Sequence, residues 1–333
     1  MHTLTASGPA WRHPERPDFR GQPAAPLYLN LPRAAVFKNV MVYRIGAGWS
    51  PSIKQMEEDL GRARFVECSA AQDKSMGWVE PRGEAHGALV ELIAKQLILK
   101  FMIETKILPA SVVRREADLR MEQIEASTGR KPGKKQAKEI REDVTRELLP
   151  MAFTKQSTIN VWIDPTTRLL VIDTTSQAKA DEVMTALIRS LDRFTVALVN
   201  TVSAPHSAMS LWLTEREAPG RFDLDRECEL KSTDDMQSAV KYSRHFLDIA
   251  EIRQHVEGGK VPTRLAMCWD GKISFLLTDT LQIKKIRFLD GALKDSAAED
   301  EDRFDADAAI ATGEMSKLIP DLIEALGGEP APA

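Results

Sequence analysis

The spacing of apolar positions changes several times along the chain, and each change marks an element. "AVFKNVMVYRI" (35–45) is β-branched and aromatic and predicts a strand, with order beginning near Val36. "SPSIKQMEEDL" (50–60) predicts a helix, with Ser50 as N-cap, Pro51 at the first helical position and Ile53, Met56 and Leu60 on one face. "MGWV" (76–79) is a short apolar piece, and "LILKFMIETKIL" (97–108) predicts a strand pair or one long strand stopped by Pro109. From Ser111 to Leu149 the period becomes helical. Val113, Ala117, Met121 and Ile124 form one stripe, and Ala137, Ile140, Val144 and Leu148 a second, with the turn formers of "STGRKPG" between them. Two helices with stripes this narrow bury one face each, against one another, so the pair should project as an αα-hairpin. The arm ends in "LLPMAF" (148–153), an apolar cluster that must cover either the protein's own core or a second copy of the chain.

Beyond the arm, "TINVWID-PTT-RLLVIDT" predicts a β-hairpin. "SQAKADEVMTALIRSLDR" predicts a helix with Val183, Met184, Leu187 and Leu191 inward. "MSLWLTE" (209–215) reads as another strand, as do "TRLAMCWDGKISFLLTD" and "LQIKKIRFLD", and a helix follows around 307–326. Strands follow strands without a regular βα alternation. The expected class is therefore α+β, with largely antiparallel sheets, flanking helices and the projecting hairpin.

Composition excludes more than it selects. With 43% hydrophobic and 28% charged residues the chain has enough apolar material for a sizeable core and is not a disordered polyelectrolyte. A net charge of −4 does not announce a polyanion partner, but the charge is unevenly spread. The segment from Asp290 onward holds twelve Asp/Glu against three Lys/Arg, which leaves the rest of the chain net positive. Cys68, Cys228 and Cys268 are too far apart for zinc-type CxxC spacing, and their odd number excludes a complete disulfide framework, so reduced, small-hydrophobe cysteines are expected. No run approaches the roughly 18 apolar residues of a membrane span, and the expected location is the cytoplasm. Residues 1–35, rich in Pro and Gly, read as a flexible tail.

Catalytic signatures are sparse. "EGGKVPT" (257–263) lacks P-loop spacing and has Val261 where a magnesium-binding hydroxyl would stand, so a tight turn between a helix and a strand is the better reading. The six histidines show no metal-ligand spacing. The acidic run "EDEDRFDAD" (299–307) is the one carboxylate-dense stretch; it supports an alternative reading as a metal-dependent nuclease, although Asp305 and Asp307 also suit a helix N-terminus. No enzyme activity and no cofactor or metal are expected. Three basic features remain: Arg130, Lys131, Lys134, Lys135 and Lys138 in the arm's turn; Lys241, Arg244 and His245 in "KYSRHF", with Tyr242 available for stacking or packing; and Lys285 and Arg287 in "LQIKKIRF", where strict alternation would place them on one face and Lys284 on the other. Dispersed cations without a recognition helix predict sequence-independent, salt-sensitive contacts to phosphates.

A set of short segments then appears in order: "VFKNVMVYR", "MGWV", "KILP", "LLPMAF", "WID", "LTE", "ELKS", "GGK" followed by "T-R-LA" and Trp269, "FDAD", "TGE" and "LGGE". Over roughly 36–329 the chain resembles the recombination-associated protein RdgC family of bacteria. The resemblance implies a ring-shaped homodimer whose hole accommodates double-stranded DNA, with single-stranded DNA left open as a further ligand. It also implies a nucleoid-associated protein that restrains the recombinase RecA by competing for DNA; a module acting on RecA directly is a further alternative. The implied organisation is a central α+β domain (36–109 and 154–200), a helical tip (110–153) and a base (201–333). By the resemblance Phe153 falls at the contact between tips, with Met151 beside it. Arg130, Lys131 and Lys134 fall in a basic turn, and Arg244 and His245 in a stretch linked to DNA binding or ring closure. The chain departs from the pattern at Met151, where relatives commonly carry Arg. Residues 1–35 lie outside the resemblance, and a translation start further downstream is one expectation.

Overall fold

The computed structural model describes residues 37–50, 52–234, 238–247, 249–289 and 300–330, with backbone only for 300–302. The expected tail (1–35), Pro51, and residue 299 with the side chains of 300–302 lie outside the described residues. The strands are β1 Val40–Ile45, β2 Lys74–Val79, β3 Glu91–Ile93, β4 Gln96–Ile107, β5 Phe153–Asp164, β6 Leu169–Asp173, β7 Val196–Leu198, β8 Phe222–Ser232, β9 Ala239–Ser243, β10 Lys260–Trp269, β11 Ile273–Thr278 and β12 Ile283–Phe288. The helices are α1 Ile53–Gly61, α2 Ala110–Thr128, α3 Lys134–Leu148, α4 Gln177–Ser190, α5 Pro205–Glu215, α6 Ala250–Glu257 and α7 Asp300–Ala325.

All these strands join one antiparallel sheet in the order β2-β4-β5-β6-β1-β12-β11-β10-β8-β9, with β3 added to β4 and β7 to β1. The class is α+β as expected, with one continuous sheet in place of several. Alternation along the central strands feeds two cores. Met41, Tyr43 and Ile45 of β1 and Val161 and Ile163 of β5 pack with Met56 and Leu60 of α1 and Val183 and Leu187 of α4. Val40, Val42 and Trp162, the alternate positions, pack with Met209, Trp212 and Leu213 of α5 and with Met315, Leu318 and Leu322 of α7. The halves of the sheet meet where β1 and β12 pair at Val40 and Ile283.

β4 and β5 are each twelve residues long and stay paired from Leu97–Ile163 to Ile107–Phe153, so the predicted run is one long strand, Gln96–Ile107, and not a strand pair. α2 and α3 are inserted at the open end of this pair. Ala117 and Val144, one from each predicted stripe, are the buried residues of α2 and α3. The turn after α6 matches expectation, with Gly259 at φ +89° before β10.

Three local expectations are corrected. "MSLWLTE" lies in α5, not in a strand: Pro205 occupies the helix start, and Ala208, Met209, Trp212 and Leu213 recur at helical spacing on the buried face. The N-cap of α1 is Ser52, whose hydroxyl accepts from the Gln55 N–H at 3.1 Å, and not Ser50; Met56 and Leu60 are buried while Ile53 stays 39% exposed. Alternation in β12 is broken. Lys285 takes φ +53° as an extra residue opposite β11 between Ser274 and Leu276, so Ile283 and Ile286, three apart, are both buried.

Candidate nucleic-acid interface

The arm's turn is built by local chemistry. Gly129 takes φ +70° and its N–H donates to the Glu125 carbonyl at 2.8 Å, closing α2. The Thr128 hydroxyl donates to the Ile124 carbonyl at 2.6 Å and lies 3.2 Å from that of Arg130, tightening the exit. Gly133 is the N-cap of α3. Arg130, Lys131, Lys134 and Lys135 are exposed and have no ion pair among the described residues, whereas Lys138 pairs with Glu142 at 3.7 Å. Lys134 and Lys135 open α3, where the helix dipole is positive and a cation is unfavourable by roughly 0.3–1 kcal/mol. Helix stability therefore does not explain these lysines.

At the other end of the arm, Leu149–Met151 form a 3-10 turn around Pro150, and the chain enters β5 at Phe153. Lys106 fixes the turn, its ammonium donating to the Leu149 carbonyl at 3.0 Å and to that of Ala70 at 2.9 Å. The side chains beyond it face outward: Met151 is 73% and Phe153 85% exposed, and Ile107, paired with Phe153 across the ladder, is 49% exposed. The structure does not bring Phe153 and the basic turn together. They sit at opposite ends of the 15-residue α3, about 22 Å of helix apart.

The other cations come from the second half of the sheet. Lys241 (β9) and Lys285 (β12) meet on one carboxylate, Glu227 of β8, at 3.7 Å and 2.9 Å. Arg244 follows β9 at φ +56°, exposed, with no ion pair among the described residues. The His245 N–H donates to the Arg226 carbonyl at 3.2 Å, and its ring Nδ1 lies 2.7 Å from the Phe246 carbonyl, which only accepts, so Nδ1 carries the proton. Tyr242 packs against the core, with the His245 and His255 rings 6.3 and 6.5 Å away, and burial raises its hydroxyl pKa. Arg287 is exposed and, like Arg244, has no ion pair among the described residues. The sequence reading missed Arg226 and Phe246. Arg226 lies 4.3 Å over the Phe246 ring, which is itself 65% exposed.

Asp305 is held by Arg82 at 2.5 Å, and Asp307, 7% exposed, faces Arg303 at 3.8 Å; burial raises the Asp307 pKa. Among the described residues no group of three or more His, Cys, Asp or Glu is arranged to hold a metal ion. All three cysteines are free, and burial pushes the Cys228 thiol up to about 12. Among the described residues no helix is long and apolar enough to cross a membrane.

Comparison with known proteins adds a family. The profile described as "Putative exonuclease, RdgC" matches residues 36–329. A protein named Recombination-associated protein RdgC from Herminiimonas arsenicoxydans is 43% identical over 298 residues, 89% of this chain and 99% of its own. Its namesake in Dechloromonas aromatica is 43% identical over 300 residues (88% and 98%), and that of Bordetella pertussis 39% over 297 residues (88% and 98%).

Proposed function

The chain belongs to the RdgC family, and from that premise we propose that it binds DNA without sequence preference, as a ring-shaped homodimer that modulates homologous recombination by restraining RecA. In this reading 110–153 is the tip, 36–109 with 154–200 the central domain and 201–333 the base. The ring closes on duplex DNA in the nucleoid, with Arg130, Lys131, Lys134, Lys135, Lys241, Arg244, His245, Lys285 and Arg287 facing phosphates. The observation that carries it is the exposure of Phe153. A phenylalanine 85% open to water, beside Met151 at 73%, leaves apolar surface that a second copy would cover. Such a contact is small enough to open: burying a Phe side chain stabilises by roughly 1.5–3 kcal/mol.

The protein is read as a binding protein without a cofactor, not as an enzyme. The family's exonuclease description supplies the rival. A metal at the acidic run would have to displace Arg82 from Asp305 and Arg303 from Asp307. The test of the gate is Phe153→Ser. Closed circular duplex should dissociate from the variant about ten-fold faster, consistent with the loss of one such contact. Affinity for a short linear duplex and the thermal melting curve should stay unchanged. An unaltered lifetime on circles, or a variant that fails to fold, would reject the gate.

A further inference from the structure

We propose that Phe246, backed by Arg226, is a stacking platform for an unpaired nucleobase, so that the protein holds single-stranded DNA through a base contact that a duplex does not make. The inference rests on the DNA-binding reading above and deepens it. Its basis is how the chain leaves β9. Arg244 turns the backbone at φ +56°, the His245 N–H ties that turn to the Arg226 carbonyl of β8 at 3.2 Å, and Leu247 is anchored in the core at 6% exposure. With its neighbour fixed inward, the Phe246 ring is turned outward and stays 65% exposed. The Arg226 guanidinium, 4.3 Å from the ring centroid, covers one side of it and makes no ion pair among the described residues. This backing supports the ring and leaves open surface to a planar partner.

The surroundings suit a nucleotide better than a protein side chain. Arg244 and His245 precede the ring directly and are exposed, offering a cation to a phosphate and the imidazole Nε2 to a base edge. Glu227, the nearby carboxylate of β8, is already occupied by Lys285 and Lys241. Asp225 turns its Oδ1 to the Arg226 N–H at 2.8 Å. An exposed aromatic interleaved with cations is the arrangement that binds single strands without sequence preference, because every base has a π-face while a duplex keeps its own bases stacked.

The experiment compares the full-length protein with Phe246→Leu and Phe246→Tyr, using a fluorescein-labelled 20-mer of thymidine and a 20-base-pair duplex. We expect Phe246→Leu to weaken oligothymidine binding about ten-fold, within the range that one stacked base contributes. Duplex affinity should hold within two-fold, and Phe246→Tyr, which keeps the ring, should restore the native value. The proposal is overturned if Phe246→Leu binds oligothymidine as tightly as the native chain, or if both affinities fall together. It is also overturned if sedimentation shows that Phe246→Leu dissociates the dimer, since the ring would then belong to a subunit contact. A native protein that binds neither nucleic acid would instead remove the DNA-binding reading itself, and this site with it.

Discussion

Lys100 sits in the middle of β4 at 3% exposure, and no carboxylate is paired with it among the described residues. Its ammonium donates to the Pro81 carbonyl, and burial pushes its pKa down to about 8 from an ordinary 10.5. One neutral acceptor offsets only part of the desolvation of a charge. The sign follows from proton counting. Between about pH 8 and 10.5 the unfolded chain holds the proton and the folded chain has released it, so stability rises with pH through that window. Below it the buried charge costs stability in full. Lys100→Met keeps the length of the side chain and removes the charge, at the expense of an unpaired Pro81 carbonyl. We expect it to raise the unfolding free energy at pH 7 by about 1–2 kcal/mol, less than the full shift would imply, with the gain shrinking as pH approaches 10. Urea titrations at pH 7 and pH 10 check both statements; a gain independent of pH would assign the effect to packing.

At the scale of elements, the helical arm is an insertion into a β-hairpin that closes without it. β4 and β5 pair out to Ile107–Phe153, and only Ala117 and Val144 of the arm's helices are buried. Replacing 111–148 by a short Gly/Ser linker should therefore leave the melting temperature within a few degrees while the helical circular dichroism falls. A collapse of the transition would show that the arm supports the sheet. The arm's two stripes were legible because a helix packed on one partner must repeat its apolar residues every three or four positions, and all eight predicted positions are wholly or partly buried. The same reasoning failed for "MSLWLTE". Taken alone, seven residues rich in Leu and Trp fit either period, and Pro205 and Ala208, which settle the matter, lie just upstream. Strict alternation along β12 failed at a bulge between Ile283 and Ile286, which leaves no composition signal when a lysine rather than a glycine takes the positive φ, while Lys285 and Arg287, either side of buried Ile286, are both exposed. Phe246 escaped notice for a related reason. In "RHFL" two apolar residues are adjacent, and nothing in the pattern says that Leu247 goes inward and Phe246 outward.

For the whole molecule, charge decides how DNA could be held. A net charge of −4 gives no long-range attraction to a polyanion, and at physiological salt a field decays over about 8 Å. Affinity must then come from individual cations close to phosphates. The structure leaves Arg130, Lys131, Lys134, Lys135, Arg244 and Arg287 exposed without ion pairs among the described residues, while Lys241 and Lys285 share Glu227. The first group should carry most of the salt dependence, because a lysine already facing a carboxylate releases less on binding. Duplex affinity should fall steeply between 50 and 200 mM salt, and reversing Lys131, Lys134 and Arg244 to Glu should make the log–log slope shallower by roughly one unit per contacting residue. Reversing Lys285 should change it less, since the variant loses an existing pair rather than a free cation. Duplex recovered intact after incubation with magnesium would favour binding over the exonuclease reading, and cleavage abolished by Asp305→Asn would reverse that preference. Affinity that is absent at low salt, or indifferent to it, would point to a protein acting on RecA directly, with these cations serving only as solvated surface.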